Sequence, residues 1–325
     1  MATMRAVVIR QPGEADVLTI EERPIPVPAP GQVLIRVRAF GLNRSELFTR
    51  RGQSPGVQFP RVLGIEATGV VEAAPGGEFA EGQTVATAMG GMGRSYDGGY
   101  AEYVVVPAGQ VQALATTLPW SVLGALPEML QTAWGSLFTA LKLTARDTLL
   151  IRGGTTSVGL TAAAIAHGYG VRVLSTTRNP ARLQMLRDAG ADHAVVDDGS
   201  IVGAVRAAAP GGVDKVLELV GATTLADSLA CTAKGGGVCM SGMVSDRWSL
   251  RDFAPMDVIP TAVNLTTYSG DASDFMTTPL QDLVRRIETG SLKVKLGPKF
   301  GFDEIVAAHR CMEDNRSAGK IVVLP

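Results

Sequence analysis

Leu149-Leu150-Ile151-Arg152-Gly153-Gly154-Thr155-Thr156-Ser157-Val158-Gly159 reads as a buried strand, a glycine-rich turn and the start of a helix. That geometry aims backbone N–H groups and a helix N-terminus at one point, where a dinucleotide pyrophosphate is held. The flanks agree. Val158 to His167 is Ala-rich and continues the helix, and Val171-Arg172-Val173-Leu174-Ser175-Thr176-Thr177 supplies the second strand of a βαβ unit. In the G-x-G-x-x-G register Gly154 and Gly159 fit, but Thr156 stands at the middle glycine. That glycine normally lets the backbone approach the pyrophosphate with no Cβ in the way. Threonine there predicts a slightly wider turn, with the Thr155, Thr156 and Ser157 hydroxyls contributing hydrogen bonds to phosphate.

The end of the second strand selects the cofactor. Sites that prefer NAD place Asp or Glu about 20 residues after the motif, on the ribose 2′-OH. Here the strand ends in Thr176-Thr177-Arg178-Asn179, with Arg182 one turn into the next helix. A carboxylate would repel a 2′-phosphate, whereas Thr177 and the guanidiniums of Arg178 and Arg182 would attract one. The expected cofactor is NADPH. Asn179-Pro180 reads as an N-cap followed by proline at the first helical position.

A chain of 325 residues is long enough for two domains, and a net charge of −1 gives no electrostatic case for nucleic acid or an anionic membrane. Three scattered cysteines suggest neither a disulfide framework nor a metal cluster. No apolar run reaches the roughly 18 residues of a membrane span, and a cytoplasmic location is expected. Up to about residue 120 the chain alternates short Val-containing runs with Gly and Pro: Ala6–Ile9, Val33–Val37, Gly69–Glu72, Thr84–Ala86 and Tyr103–Val106. Glu22 to Gly31, with four prolines, is expected to lie on the surface outside regular structure. From about residue 125 strands alternate with helices (148–152, 171–177, 194–197, 214–219, 236–241 and 263–269), which argues a doubly wound parallel sheet.

Met4-Arg5-Ala6-Val7, Gly41-Leu42-Asn43-Arg44-Ser45-Glu46-Leu47, Leu63-Gly64-Ile65-Glu66-Ala67-Thr68-Gly69-Val70-Val71 and Gly98-Gly99-Tyr100-Ala101-Glu102-Tyr103 carry a resemblance that continues in Ala189-Gly190-Ala191-Asp192 and Gly319-Lys320-Ile321-Val322. In order and spacing they resemble the medium-chain dehydrogenase/reductases, zinc-independent quinone oxidoreductase branch, essentially end to end. The resemblance implies an α/β protein: an irregular GroES-like β domain over 1–123, a Rossmann NADP-binding domain with a doubly wound parallel sheet over 124–268, and a segment 269–325 returning to the catalytic domain. It places the active site in the interdomain cleft.

No Cys or His precedes His167. In zinc-dependent relatives the catalytic ligands fall at positions matching Asn43, Ile65 and approximately Glu128; Asn and Ile cannot replace them, and no metal is expected. The resemblance then implies Asn43 near the nicotinamide and its ribose, donating and accepting hydrogen bonds in place of a metal. Phe48 stands where the family often has a tyrosine, so a phenolic donor is lost. The resemblance puts Tyr100, Arg50 and Arg51 within reach of the cleft, with an ordinary surface or packing role as the alternative for each. By the same resemblance Thr132 lies beside the nicotinamide, Leu219-Val220-Gly221 approaches the adenosine ribose, and Ser241-Gly242-Met243 approaches the carboxamide. Tyr268 sits where relatives hold the nicotinamide, the alternative being a core or interface aromatic, and Lys320 is placed to contact phosphate, the alternative being a strand-edge charge.

The expected activity is hydride transfer from NADPH to a quinone or α,β-unsaturated carbonyl, a small apolar electrophile suited to the surroundings Leu42, Leu47, Phe48 and Ile65. The alternative is an NADPH-binding protein of the same fold with no physiological turnover. Thr261 to Tyr268 reads as a sheet edge that pairs with its twofold mate in relatives, so a homodimer is expected.

Overall fold

The quoted run folds as the strand Thr148–Arg152, a turn, and the helix Ser157–Gly168. It lies at the middle of a six-stranded, all-parallel sheet. The strand order runs His193–Val196, Arg172–Thr177, Thr148–Arg152, Val213–Glu218, Thr232–Met240, Asn264–Thr267. A parallel sheet covered by helices needs strands apolar on both faces. Leu149, Leu150, Ile151, Val173, Leu174, Val216, Leu217 and Val238 accordingly have no exposed surface.

The computed structural model describes residues 2–325. It divides into two units: the chain up to Gln131 with Gly270–Glu288 and Leu296–Pro325, and Thr132–Ser269 with Thr289–Lys295. The parallel sheet forms the second. The first is built on a seven-stranded sheet in which the C-terminal strand Lys320–Leu324 pairs antiparallel with Gln32–Gly41, through Val322–Gly41 and Val323–Phe40. That pairing explains why the tail belongs with the N-terminal β unit. Its core is one cluster that includes Val7, Val33, Ile35, Phe40, Leu63, Tyr100 and Val323.

One sequence expectation is overturned. Glu22, Arg23 and Pro24 lie inside a strand, Thr19–Pro24, antiparallel to Thr3–Ile9. It is the outer strand of a three-stranded sheet. Pro24 is its last residue, a position where a missing N–H costs no ladder bond. Among the described residues no helix is long and apolar enough to cross a membrane.

Candidate functional site

In the parallel-sheet unit, every cofactor candidate from Gly154 to Tyr268 lies at the carboxyl end of a strand or in the segment that follows it, the edge at which open α/β sheets bind ligands. Thr156 takes up the N-cap of Ser157–Gly168, its hydroxyl oxygen accepting from Gly159 N at 2.9 Å. The non-glycine at the middle position thus satisfies one of the helix's orphan donors and keeps its own O–H to donate. Gly154 and Gly159 cannot be replaced so freely. A Cβ on Gly154 would lie 1.9 Å from Ser175 Oγ, and one on Gly159 would lie 2.9 Å from Gly153 O. The turn is tied to the next strand by Gly154 N donating to Thr176 O at 3.0 Å and Gly153 N to Thr176 Oγ1 at 3.2 Å. Thr155, Ser157 and Val158 are half-buried; Thr177 is buried, Arg178 exposed and Arg182 half-buried.

Beneath this edge lies a charged cluster that sequence reasoning missed. The Arg152 guanidinium, with no exposed surface, donates to Asp197 through Nε and Nη2, each at 2.9 Å, and through Nη1 to Asp227 at 2.5 Å. Burial pushes the Asp197 carboxyl up, but the Arg152 hydrogen bonds and charge overcome it and hold it below the usual carboxylate range. Asp197 also accepts from Thr176 Oγ1 at 3.3 Å, so the cluster reaches the glycine turn through one hydroxyl. Glu218, raised by burial, accepts from Val220 N at 2.7 Å and Gly221 N at 3.0 Å. That carboxylate shapes the Leu219–Gly221 loop. Ser241 N and Gly242 N donate to Glu218 O at 3.0 and 3.2 Å, which brings Ser241-Gly242-Met243 alongside.

Ser241 and Tyr268 meet the helical segment that follows Thr132 through residues the sequence did not flag. Ser136 and Ser241 share a hydroxyl hydrogen bond of 2.8 Å. A Cβ on Gly135 would lie 2.0 Å from the Tyr268 ring, so the absence of a side chain there makes room for it. Gly135 opens a π-helical segment, Gly135–Ala140, that follows directly on the helix bearing Thr132.

In the β unit the other candidates meet a second buried charge cluster. Asn43 caps the helix Arg44–Arg50 and is 8% exposed. Its Nδ2 donates to Glu66 Oε1 at 2.9 Å and to Glu46 Oε1 at 3.3 Å, and its Oδ1 accepts from Lys320 Nζ. Both amide protons are therefore spent, leaving one lone pair on Oδ1. This corrects the donating half of the expectation for Asn43, whose amide protons go to the chain's own carboxylates. Glu46 also accepts from Asn43 N at 2.9 Å and Ile65 N at 3.0 Å, yet burial pushes its carboxyl up to about 7. The Asn43–Glu46 spacing is that of a capping box, the one signal that could have singled Glu46 out.

Lys320 is corrected as well. It is 1% exposed and pairs with Glu66 at 2.8 Å and Glu128 at 3.1 Å. Burial acts to lower its ammonium, but the two carboxylates more than reverse this and hold it above the usual lysine range. A phosphate has no access to it. Tyr100 leaves the candidate set too: fully buried, it stacks on Phe40 with ring centroids 4.6 Å apart and shares a 3.2 Å hydrogen bond with His309 Nε2. Arg50 is likewise fully buried, against Glu313 and Gly13 O. Phe48 is buried in the helix Arg44–Arg50, and Leu42 and Leu47 belong to the core cluster rather than to a surface.

Comparison with known proteins bears on the family and the fold. Residues 29–116 match the family model of the alcohol dehydrogenase GroES-like domain, and residues 189–323 match that of a zinc-binding dehydrogenase. The quinone oxidoreductase of Homo sapiens is 26% identical over 332 residues, covering 99% of this chain and 98% of that protein. The crystal structure of AibC superposes with a TM-score of 0.88 at 30% identity, covering 99% of this chain and 96% of AibC. A mycobacterial protein solved in complex with NADPH superposes with a TM-score of 0.87 at 27% identity, covering 99% of this chain and all of that one.

Proposed function

Because the chain belongs to the medium-chain dehydrogenase/reductase superfamily, in its quinone oxidoreductase branch, we propose that it is an NADPH-dependent reductase of a small apolar quinone or α,β-unsaturated carbonyl. The observation that carries the reading is the capped glycine turn, with Gly154 and Gly159 too crowded for a Cβ and Arg178 exposed beyond the next strand. The similar mycobacterial structure that holds NADPH supports the same choice of nucleotide.

The residues of this chain have separable tasks in that reading. The N-terminus of Ser157–Gly168 and the Thr156 O–H receive the pyrophosphate. Arg178 and Arg182 receive the 2′-phosphate. Thr132, Ser241-Gly242-Met243 and Tyr268 border the nicotinamide, and Leu219-Val220-Gly221 the adenosine ribose. Asn43 offers its remaining Oδ1 lone pair to a ribose hydroxyl. When bound, NADPH supplies a hydride, and the protein's contribution is chiefly to hold donor and acceptor carbons in contact. Phe48 has no proton to give, so the reduced acceptor takes its proton from water.

Zinc, named in one matching family description, does not fit the residues present. The positions that would hold it carry Asn43, Ile65 and Glu128; Lys320 already lies against Asn43 and Glu128, with Glu66 alongside, and a metal cation cannot share that space with its ammonium. We therefore assign the reaction to a metal-free site.

The test is NADPH consumption across a panel of quinones, enones and alkenals; absence of turnover with every member would overturn the reductase assignment. Asn43's committed amide protons and the missing Phe48 hydroxyl favour one second reading, a protein that binds NADPH without turnover. Tight NADPH binding combined with inertness in the panel would select it. We also assign a cytoplasmic homodimer paired through Asn264–Thr267, the outer strand of its sheet. A monomeric mass by light scattering at micromolar concentration would refute the dimer.

A further inference from the structure

The ammonium of Lys320 sits where three oxygens converge: Glu66 Oε1 at 2.8 Å, Glu128 Oε2 at 3.1 Å, and Asn43 Oδ1. An ammonium has three donors and no acceptor. Each proton has one oxygen, and none is left over. The Glu66 and Asn43 oxygens are held in place by contacts that do not involve Lys320. Glu66 Oε2 accepts from Glu128 N at 2.9 Å, and Glu66 Oε1 accepts from Asn43 Nδ2 at 2.9 Å. Asn43 is anchored in turn by Glu46, which takes its backbone N–H at 2.9 Å. The wall behind is Gly41, where a Cβ would lie 2.4 Å from Glu66 Oε1 and 2.5 Å from Lys320 Cε. Any side chain at that position would fill the cage.

We propose that Asn43, Glu66 and Glu128 form a ready-made cation site whose occupant is the chain's own Lys320 ammonium, and that removing this ammonium opens the site to a free divalent metal ion. Two carboxylates and an amide oxygen are hard donors suited to a divalent cation. Metal–oxygen bonds of about 2.0–2.6 Å are shorter than the 2.8 and 3.1 Å contacts of Glu66 and Glu128, so those two carboxylate oxygens need to move inward by roughly half an ångström. A divalent ion also neutralises both carboxylates, which a single ammonium does not. Lys320 and a metal exclude one another, since two cations in one buried cage leave an uncompensated charge. Lys320 is in addition a positioning residue. By claiming Oδ1 it turns the Asn43 amide so that Nδ2 faces Glu66 and Glu46.

The experiment compares chelator-stripped wild type with Lys320→Ala, titrated with Zn²⁺ alone and with Mn²⁺ alone by calorimetry and thermal melting. Lys320→Ala is expected to bind one ion per chain at least 100-fold more tightly than wild type, and to melt higher with metal while wild type does not. Lys320→Met, whose stem still fills the cavity, is expected to gain no such binding. Adding Glu128→Gln to Lys320→Ala should weaken the new binding at least tenfold, which a stray surface site would not do. Should Lys320→Ala fold only when refolded with metal, that dependence supports the proposal equally. The proposal is overturned if the variant folds and binds no more tightly than wild type, or refolds with none of Zn²⁺, Mn²⁺ and Mg²⁺. Rescue by ethylammonium but by no metal overturns it as well. None of these readouts uses NADPH turnover, so failure here and failure of the reductase assignment remain distinct.

Discussion

His309 is the residue through which acid should destabilise the β unit. It lies in the helix Ile305–Glu313 with no exposed surface. Arg50 Nη1 donates to its Nδ1 at 3.3 Å, so the ring proton is on Nε2, which donates to the Tyr100 hydroxyl at 3.2 Å. Protonating Nδ1 would place a second cation against Arg50 in a dry core. Burial, with Arg50 adding to it, pushes the imidazole down to about 3. The folded value lies below the unfolded one of 6.5, so below pH 6.5 the unfolded chain binds more protons and stability falls with pH. At about 1.4 kcal/mol per unit, roughly 3 kcal/mol is lost by pH 4. Glu46 acts in the opposite sense. Its folded value of about 7 lies above the unfolded 4.5, so it favours the folded state as pH drops from 7 to 4.5. The two contributions offset each other between about pH 6.5 and 4.5 in wild type. Only a comparison with His309→Gln exposes the histidine. Urea unfolding at pH 7 and pH 4 should show the gap between wild type and variant closing by about 3 kcal/mol. With three histidines in the chain, NMR of labelled protein should assign His309 by its loss in the variant and find no titration from pH 8 to 5. A gap independent of pH, or an imidazole titrating near 6.5, would refute the reasoning. Because Arg50 ends the helix that Asn43 caps, cofactor binding should weaken over the same acid range.

Removing both Arg178 and Arg182 as alanines should raise the NADPH Kd about 10- to 100-fold, reduced from the full charge-pair value because Arg178 is exposed, and leave NADH within about threefold; equal losses would sink the 2′-phosphate assignment. Gly154→Ala should weaken NADPH binding at least about tenfold with unchanged circular dichroism, since its Cβ meets Ser175 Oγ. Adding Ser175→Ala removes that oxygen and should restore part of the affinity; no recovery would place the fault elsewhere. Arg152→Met strands Asp197 and Asp227 without their cation and should cost about 3–5 kcal/mol, a Tm drop of roughly 6–20 °C. An unchanged melting curve would show that the cluster does not stabilise the sheet.

The parallel sheet was legible because its signals are local. Apolar runs, glycine turns and helix spacing are properties of neighbouring residues, and each of the six strands read from the sequence overlaps a strand in the structure. Asn179 as a cap, its side chain accepting from Ala181 N, belongs to the same local grammar, whereas the cap role of Thr156 came only with the structure. Among the β-unit readings that went astray, Glu22–Pro24 and Tyr100 show context outweighing pattern. Glu22–Pro24 could be a strand only because it lies at a sheet edge, and Tyr100 was drawn into the core by Phe40 and His309.

From the amino-acid order alone came the fold class, the dinucleotide turn and the arginines beyond it, all encoded within a few residues of chain. The charge clusters were decided only by the tertiary structure. Glu66 meets Glu128 across 62 residues and Lys320 meets Asn43 across 277. A lysine or glutamate carries no periodicity that says whether it faces water or a partner. Its worth is set by the dielectric around it and by which opposite charge the folded chain brings within about 3 Å, and neither exists until the strands have paired.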